Sequence, residues 1–146
     1  MKQKFIEAFM DVAKRFAQLS SAKRLQVGSI VVKDDRIISI GYNGTPAGWD
    51  NECETVVDTG ELPPTLITKP EVIHAEMNAL MKLAKSHESG NNATIFITHS
   101  PCMECAKGIY QAGIKTVYYS EAYRSNNGID FLEKSGVEVV QVIQNS

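Results

Sequence analysis

The chain has 146 residues, of which 43% are hydrophobic and 22% are charged. This balance is typical of a globular domain and excludes a disordered chain or a long coiled coil. The 15 Lys and Arg against 17 Asp and Glu give a net charge of −2, which argues against a partner that is a nucleic-acid polymer. A chain of this length usually forms one domain, so we predict a single domain over residues 1–146.

The sequence indicates an intracellular setting. The N-terminal segment, which begins Met-Lys-Gln-Lys-Phe, has neither the apolar core nor the cleavage site of a signal peptide. No stretch approaches the roughly 20 apolar residues of a membrane span. The cysteines number three, and an odd number argues against a disulfide framework. We therefore predict a cytoplasmic protein without a membrane partner.

Helical and strand patterns alternate along the chain. Apolar residues at helical spacing predict an amphipathic helix over residues 3–19. Gly and Pro interrupt residues 43–71, which we predict to be a long functional loop. The other predicted elements are strands at 27–32 and 36–42, a helix at 74–85, a strand at 93–98, a helix at 101–111, a strand at 115–119, a short helix at 128–135 and a strand at 137–143. This order predicts a three-layer α/β/α fold with a mixed central sheet of about five strands, largely parallel apart from an opening antiparallel hairpin.

Two short motifs, each at the predicted start of a helix, carry the candidate chemistry. They are His74-Ala75-Glu76 and Pro101-Cys102-Met103-Glu104-Cys105. Cysteines three residues apart share one helix face, and a helix N-terminus favours thiolates. With His74 as third ligand, this set leaves one position of a zinc ion open to water, as in catalytic zinc sites. Glu76 beside that water can accept its proton, and H-x-E…P-C-x-x-C is the pattern of zinc deaminases that act on cytosine or adenine.

Each of these residues also has a plainer interpretation. A Cys-x-x-Cys pair alone occurs in redox sites and structural zinc sites, but a redox role leaves His74 and Glu76 unexplained. A structural zinc needs a fourth protein ligand, for which the spare candidates are Cys53, His87 and His99. We interpret His87 as a solvated turn residue, His99 as a loop histidine and Cys53 as a free thiol. We favour the catalytic interpretation because both half-motifs occur in order, each at a helix start.

Around these residues the sequence resembles the cytidine deaminase superfamily, and within it the deoxycytidylate (dCMP) deaminases. The resemblance covers nearly the whole chain. It is carried by residues 26–28, 41–48, 74–79, 100–107 and 111–115. The Gly-Tyr-Asn-Gly-x-Pro-x-Gly stretch at 41–48 is specific to the dCMP branch, and the short length is similar to phage and bacterial members. For a phage-encoded enzyme the predicted location is the host cytoplasm.

The resemblance implies hydrolysis of dCMP to dUMP and ammonia, which supplies dUMP for thymidylate synthesis. A water activated at zinc attacks carbon 4 of the cytosine ring, while Glu76 carries protons to ring nitrogen 3 and to the leaving amine. The implied substrate-binding residues are Arg24, Val27, Asn43, Ala75, Ser100, Pro101 and Tyr123. Arg24 is expected near the phosphate, for which a guanidinium offers a bidentate fork, although Lys23 competes for that role. Tyr123 and Trp49 could instead be packing residues.

The resemblance also implies a homohexamer that dCTP activates and dTTP inhibits. The implied effector-binding residues are Asn43, Gly44, Thr45, Pro46 and Gly48. Glycines there let the backbone approach a ligand closely, although a tight turn would also explain them. A triphosphate effector would bring Mg²⁺ with it.

The chain departs from its relatives at one position. Several relatives carry a second, structural zinc, with a cysteine shortly before the phosphate arginine. Ala22 stands there in this chain, although Cys53 matches another position of that site. We therefore predict one Zn²⁺ per chain.

Two other functions remain open at this point. One is a different zinc deaminase of the superfamily, acting on free cytidine, guanine or tRNA adenosine. Arg24 and the loop at Asn43 favour a nucleotide, and the mild acidity argues against tRNA. The other is a zinc-stabilised binding module without catalysis, which would have no need of Glu76.

Overall fold

The computed structural model describes residues 1–144, and its helices and strands alternate along the chain. In chain order the elements are α1 (Gln3–Ala17), β1 (Gly28–Lys33), β2 (Arg36–Tyr42), β3 (Glu54–Val57), β4 (Thr65–Thr68), α2 (Ala75–Ala84), β5 (Thr94–His99), α3 (Met103–Gln111), β6 (Thr116–Glu121), α4 (Asn127–Lys134) and β7 (Glu138–Gln141). Each helix and strand predicted from the sequence is present, with ends displaced by a few residues. Within residues 1–144 no helix combines the length and the apolar character needed to cross a membrane.

The central sheet has five strands in the order β2-β1-β5-β6-β7. β1 pairs antiparallel with both β2 and β5, whereas β5, β6 and β7 run parallel. The predicted mixed sheet of about five strands is confirmed, but the expectation of only one antiparallel pair is wrong. The reason is that α2 connects β2 to β5, two parallel strands with β1 between them, so that β1 runs against both neighbours.

Side chains of the central strands alternate between two cores, as the period of two in a strand requires. On one face, strand residues pack against Ile6, Met10 and Ala13 of α1; they are Ile30, Val32, Phe96 and Tyr118. On the other face, strand residues pack against α2, α3 and α4; they are Val31, Ile95, Ile97 and Val117. Burial on both faces explains the short, continuous apolar runs of these strands. The three-layer α/β/α architecture is therefore confirmed.

The segment between β2 and α2 contains a two-stranded hairpin that the sequence analysis missed. Glu54 pairs with Thr68 and Val57 with Thr65 across β3 and β4. The prediction of a loop throughout 43–71 is thus wrong for these strands. Their β-branched residues favour extended structure. Of the glycines and prolines that suggested a loop, Gly60, Pro63 and Pro64 lie in the connection between the strands, and the others lie outside the hairpin.

The topology gathers four distant segments at one edge of the sheet. α2 and α3 begin there, and β5 and β6 end there, where the Ser100 amide donates to the carbonyl of Glu121 (2.9 Å). Because β1 runs against β5, the residues that precede β1 reach the same edge. Gly28 N–H donates to Thr98 Oγ1 (3.2 Å), which joins the start of β1 to the end of β5.

Candidate active site

A cavity of about 240 Å³ lies at this edge. It is lined by residues from seven stretches of the chain, namely Ala22, Arg24, Leu25, Val27, Asn43, Glu54, Thr68, His74, Ala75, Glu76, His99, Ser100, Cys102, Tyr123 and Arg124. Most of the residues proposed from the sequence for catalysis and substrate binding are among them. A single open cavity therefore brings together His74 and Cys102 of the potential metal ligands, a buried carboxyl group and two arginines.

His74, Cys102 and Cys105 converge at one end of the cavity. His74 is the residue that precedes α2, Cys102 is the residue that precedes α3, and Cys105 lies in the first turn of α3. His74 Nδ1 is 3.3 Å from Cys105 Sγ and 3.5 Å from Cys102 Sγ, and all three ligand atoms lie within 4.8 Å of one another. Among residues 1–144 this is the one group of three or more His, Cys, Asp or Glu side chains arranged to hold a metal ion.

These distances fit a zinc ion. With the usual Zn–N and Zn–S bond lengths, neighbouring nitrogen and sulfur ligands of a tetrahedral zinc lie about 3.6 Å apart. The two nitrogen–sulfur distances at His74, 3.3 and 3.5 Å, are close to that value. The donor set of one imidazole and two thiols suits zinc, and within residues 1–144 no fourth His, Cys, Asp or Glu side chain joins the group.

The thiols of Cys102 and Cys105 have opposite pKa shifts, and this favours a cation at the site. Hydrogen bonds from Cys105 and His74 lower the pKa of Cys102 to about 3, which makes it a thiolate. The hydrogen bond with Cys102, together with burial, raises the pKa of Cys105, so the metal-free pair retains one proton. A divalent cation would stabilise both thiolates and release that proton.

Glu76 is the buried acid of the site. It lies in the first turn of α2, only 4% exposed, and lines the same cavity as His74 and Cys102. Burial raises the pKa of Glu76 to about 7, an effect that the nearby His74 partly offsets. A carboxyl group with a pKa near neutral can both accept and donate a proton, which is the property of a general acid–base catalyst.

Ser100 joins two walls of the cavity. Its Oγ accepts a hydrogen bond from the amide of Tyr123 (2.7 Å). Tyr123 is half-exposed, with Arg124 5.6 Å above its ring in a cation–π contact. His99 lies in the adjacent wall, where its Nε2 is 3.5 Å from Glu121 Oε2 and burial lowers its pKa. His99, interpreted from the sequence as a loop histidine, is therefore the last residue of β5 and part of the cavity.

Asn43 supports the wall formed by residues 25–27. Its Oδ1 accepts a hydrogen bond from the amide of Val27 (2.8 Å), and its Nδ2 donates to the carbonyl of Leu25 (2.8 Å). One N–H of the amide group and one lone pair of Oδ1 remain for a ligand. The structure shows that Asn43 holds the backbone of residues 25–27 in place. Its proposed contact with the sugar stays a prediction.

Two arginines line the cavity, and among residues 1–144 their guanidinium groups have no acidic partner. Within the described residues, the guanidinium group of neither Arg24 nor Arg124 has a carboxylate oxygen within 4.0 Å. The side chain of Arg24 donates a hydrogen bond from Nη1 to Thr68 Oγ1 (3.0 Å). Unpaired guanidinium groups at a cavity are suited to an anionic ligand, and a phosphate is an effective one.

The residues proposed for an effector lie beside this cavity rather than in it, except for Asn43. Gly44 forms a bridge with Ile73, in which each amide donates to the other carbonyl (3.1 and 2.8 Å). The Trp49 amide donates to the carbonyl of Pro46 (3.0 Å), and Gly48 has a φ of 87° that favours glycine. The loop is thus folded on itself and attached to the residue that precedes His74. Its role in effector binding stays a prediction.

Sequence reasoning missed several residues of the cavity. They are Ala22 and Leu25 as lining residues, Glu54, Thr68 and Arg124. Glu54 and Thr68 belong to the unpredicted hairpin, and their β-branched neighbours were the signal that could have revealed it. Pro101, which was predicted to bind substrate, is buried and does not line the cavity. Cys53 is a buried free thiol, as interpreted from the sequence, with its Sγ 3.5 Å from Ser21 Oγ.

The comparisons with known proteins agree with the fold and the site. Residues 3–121 match the family model described as the cytidine and deoxycytidylate deaminase zinc-binding region. The chain belongs to this family of zinc-binding deaminases.

Within that family the chain is similar to dCMP deaminases. The deoxycytidylate deaminase of Enterobacteria phage T4 is 34% identical over 168 aligned residues, which cover 91% of this chain and 87% of the relative. ComE operon protein 2 of Bacillus subtilis is 40% identical over 92% of this chain and 69% of its own length. The crystal structure of dCMP deaminase from the cyanophage S-TIM5, in complex with dCMP and dUMP, has 48% identity and a TM-score of 0.88, covering 97% of this chain and 99% of that one. The resemblance to the dCMP deaminase family is confirmed.

Proposed function

We propose that this protein hydrolyses dCMP to dUMP and ammonia. The observation that carries the proposal is the shared cavity. It has His74, Cys102 and Cys105 at one end, buried Glu76 beside them, and two arginines whose guanidinium groups have no carboxylate partner among residues 1–144. Similarity to the phage T4 enzyme and to the S-TIM5 enzyme with bound dCMP and dUMP supports the choice of nucleotide. The product dUMP would enter thymidylate synthesis, a cytoplasmic role.

Zinc is the cofactor that suits the three ligands. His74, Cys102 and Cys105 would hold it, and the ion when bound would supply an activated water at its open position. The two helix N-termini contribute partial positive charge at the same point, which stabilises the thiolates. One Zn²⁺ per chain remains our prediction.

Glu76 moves the protons of the reaction. Hydrolysis adds water to carbon 4 and expels the amino group, so one proton must reach ring nitrogen 3 and another the leaving amine. Glu76 accepts a proton from the attacking water and delivers it to nitrogen 3. It then takes the second proton from the hydroxyl group now on carbon 4 and donates it to the amine, which leaves as ammonia. A pKa of about 7 for Glu76 suits both transfers at neutral pH.

The remaining lining residues orient the nucleotide. Arg24 is placed to accept the phosphate, and the unused hydrogen-bonding capacity of Asn43 serves the sugar. The backbone of Ala75 and the loop of Ser100 and Pro101 read the edge of the base. Val27 and Tyr123 form the apolar walls beside the ring. These assignments extend the contacts found in the cavity to a bound substrate.

Regulation and assembly are further parts of the proposal. We expect a homohexamer that dCTP activates and dTTP inhibits, with Mg²⁺ accompanying the triphosphate at Asn43, Gly44, Thr45, Pro46 and Gly48. The bridge between Gly44 and Ile73, next to His74, supports a link between this loop and the metal site.

The test is deamination of dCMP, CMP, deoxycytidine, guanine and tRNA adenosine by zinc-loaded protein, each with dCTP, with dTTP and with neither. We expect turnover of dCMP, suppression by dTTP and stimulation by dCTP. Preferred turnover of guanine, a free nucleoside or tRNA would contradict the nucleotide assignment while leaving the zinc chemistry intact. Turnover of dCMP without any effector response would contradict only the role of residues 43–48.

A further inference from the structure

Two side chains of the β3–β4 hairpin face the cavity beside Arg24. Glu54 and Thr68 are direct partners across the two strands, so their side chains lie on the same face of the hairpin. Both line the cavity, as does Arg24. Neither residue takes part in the proton transfers or the substrate contacts proposed above.

The carboxylate of Glu54 holds the backbone at Arg24. Its Oε2 accepts hydrogen bonds from the amides of Lys23 (2.8 Å) and Arg24 (3.0 Å). Residues 20–27 have no helix or strand, so secondary structure does not supply the acceptors for these amides. Hydrogen bonds to a charged acceptor are stronger than neutral ones. Glu54 therefore fixes the course of the chain at the arginine.

Thr68 contacts the guanidinium group of Arg24. Its Oγ1 accepts a hydrogen bond from Nη1 of Arg24 (3.0 Å). A guanidinium group has five N–H donors, so this contact orients the fork and leaves donors for a ligand. The hairpin thus contacts both the backbone and the head group of Arg24.

The charge of Glu54 argues for positioning rather than for direct binding. A carboxylate beside a phosphate dianion repels it. Glu54 nevertheless lies in the wall of a cavity that has two arginines, and its Oε2 accepts hydrogen bonds from two backbone amides. A role that needs an ionised acceptor at the backbone explains this placement.

We propose that Glu54, with the assistance of Thr68, is a positioning residue that holds Arg24 for the substrate phosphate and so sets the preference for a nucleoside monophosphate over a nucleoside. The proposal rests on the proposed function, because it assigns the phosphate of dCMP to Arg24. Deoxycytidine lacks the phosphate and gains nothing from an oriented Arg24. The hairpin is therefore needed for one substrate and not for the other.

The test compares kcat and KM for dCMP and deoxycytidine in wild-type protein and in Glu54→Ala. We expect kcat/KM for dCMP to fall by about 10-fold or more through KM, the size expected for charge-assisted hydrogen bonds. Turnover of saturating dCMP and kcat/KM for deoxycytidine should stay unchanged. Glu54→Gln keeps a neutral oxygen acceptor and should recover only part of the loss. Thr68→Val, a nearly isosteric change, should raise KM for dCMP by a smaller factor.

The matched control is Glu52→Ala. Glu52 is also an acidic residue of this region, paired with Lys69 at 3.8 Å, and it does not line the cavity. Its removal changes the net charge equally and should leave the preference for dCMP intact. If Glu54→Ala proves poorly folded, Thr68→Val gives the same readout.

The outcomes separate this inference from the proposed function. Failure of wild-type protein to deaminate dCMP would overturn the function itself. Active wild-type protein in which Glu54→Ala lowers kcat/KM equally for dCMP and deoxycytidine, or for neither, would overturn the positioning role. Tighter binding of dCMP by Glu54→Ala would also overturn it, since relief of repulsion would then outweigh any orientation of Arg24.

Discussion

Gly128 lies directly against the carbonyl oxygen of Pro101. A Cβ atom at Gly128 would be 2.1 Å from that oxygen and 2.9 Å from the carbonyl oxygen of Cys102. The first turn of α4 thus rests on the backbone that carries a proposed zinc ligand. Both sides of the contact are backbone, so neither can turn away as a flexible side chain would.

Gly128→Ala is therefore expected to weaken zinc binding. The methyl group must displace residues 101–102, and such overpacking typically costs about 1–3 kcal/mol. We expect lower zinc content after dialysis and activity reduced by about 10-fold or more, measured by metal analysis and dCMP turnover. Asn127→Ala, the exposed neighbouring residue in α4, is the control. Full zinc occupancy and normal turnover in Gly128→Ala would contradict the importance of this contact.

Glu76→Gln should retain the zinc and the fold but lose turnover. The amide has nearly the same shape but cannot accept the proton of the attacking water, and the loss of general acid–base catalysis costs about 100-fold or more. Glu104 is the matched control because it occupies the same position in the first turn of α3 as Glu76 does in α2, but is exposed. Glu104→Gln should be nearly normal in turnover. Comparable rates in the two variants would exclude Glu76 as the proton carrier.

Cys102→Ala should lose the metal as well as the activity. Removing a thiolate leaves only two protein ligands for the metal. Changing a residue that merely hydrogen-bonds to a metal ligand typically lowers metal affinity by about 10- to 100-fold. We therefore expect the loss of a ligand itself to lower zinc affinity by more than about 100-fold. Metal analysis after dialysis against a weak chelator measures this loss. Cys53→Ala, which removes a buried thiol outside the site, should keep its zinc. A Cys102→Ala variant with full zinc occupancy would refute the ligand assignment.

The buried carboxyl group of Glu76 predicts a pH dependence of stability in the metal-free protein. Its pKa is raised from 4.5 to about 7 on folding, so the folded state binds more protons than the unfolded state between these values. The contribution of Glu76 is therefore fully present below about pH 4.5 and is lost as the pH rises through 7. The shift corresponds to a few kcal/mol at most, roughly 1.4 kcal/mol per pKa unit.

The measurement is the free energy of unfolding of metal-free wild-type protein and Glu76→Gln, by urea titration at pH 5 and pH 8. His74 and the two cysteines also titrate, so the informative quantity is the difference between the two proteins. Relative to Glu76→Gln, the wild-type protein should be more stable at pH 5 than at pH 8. A difference that does not change with pH, or that changes in the opposite direction, would show that Glu76 is not held protonated by burial.

Local patterns predicted the metal-ligand motifs and most of the fold. His74 and the Cys102–Cys105 pair could be found because each motif is short, and because a helix start brings its first-turn side chains to one point. The five central strands were evident because their apolar runs are buried on both faces. The direction of β1 relative to β5 was not evident, since it depends on which strands α2 connects.

Long-range contacts explain what the sequence did not reveal. Glu54 accepts hydrogen bonds from the amides of Lys23 and Arg24, which precede it by about thirty residues in the sequence. No local sequence pattern links residues so far apart. The contact between Gly128 and Pro101 likewise exists only once α4 has packed. The β3–β4 hairpin was not predicted because each of its strands has only four residues. The segment between the strands also contains Gly and Pro, which indicate a loop.

The two faces of the central sheet contribute differently to thermal stability and to catalysis. No residue of α1 lines the cavity, and the cluster that α1 forms with Phe96 and Tyr118 lies on the face opposite α2 and α3. Substitutions that repack this cluster should alter the melting temperature while turnover per folded molecule stays constant. An engineer could therefore adjust the heat tolerance of the protein from α1 without redesigning its chemistry.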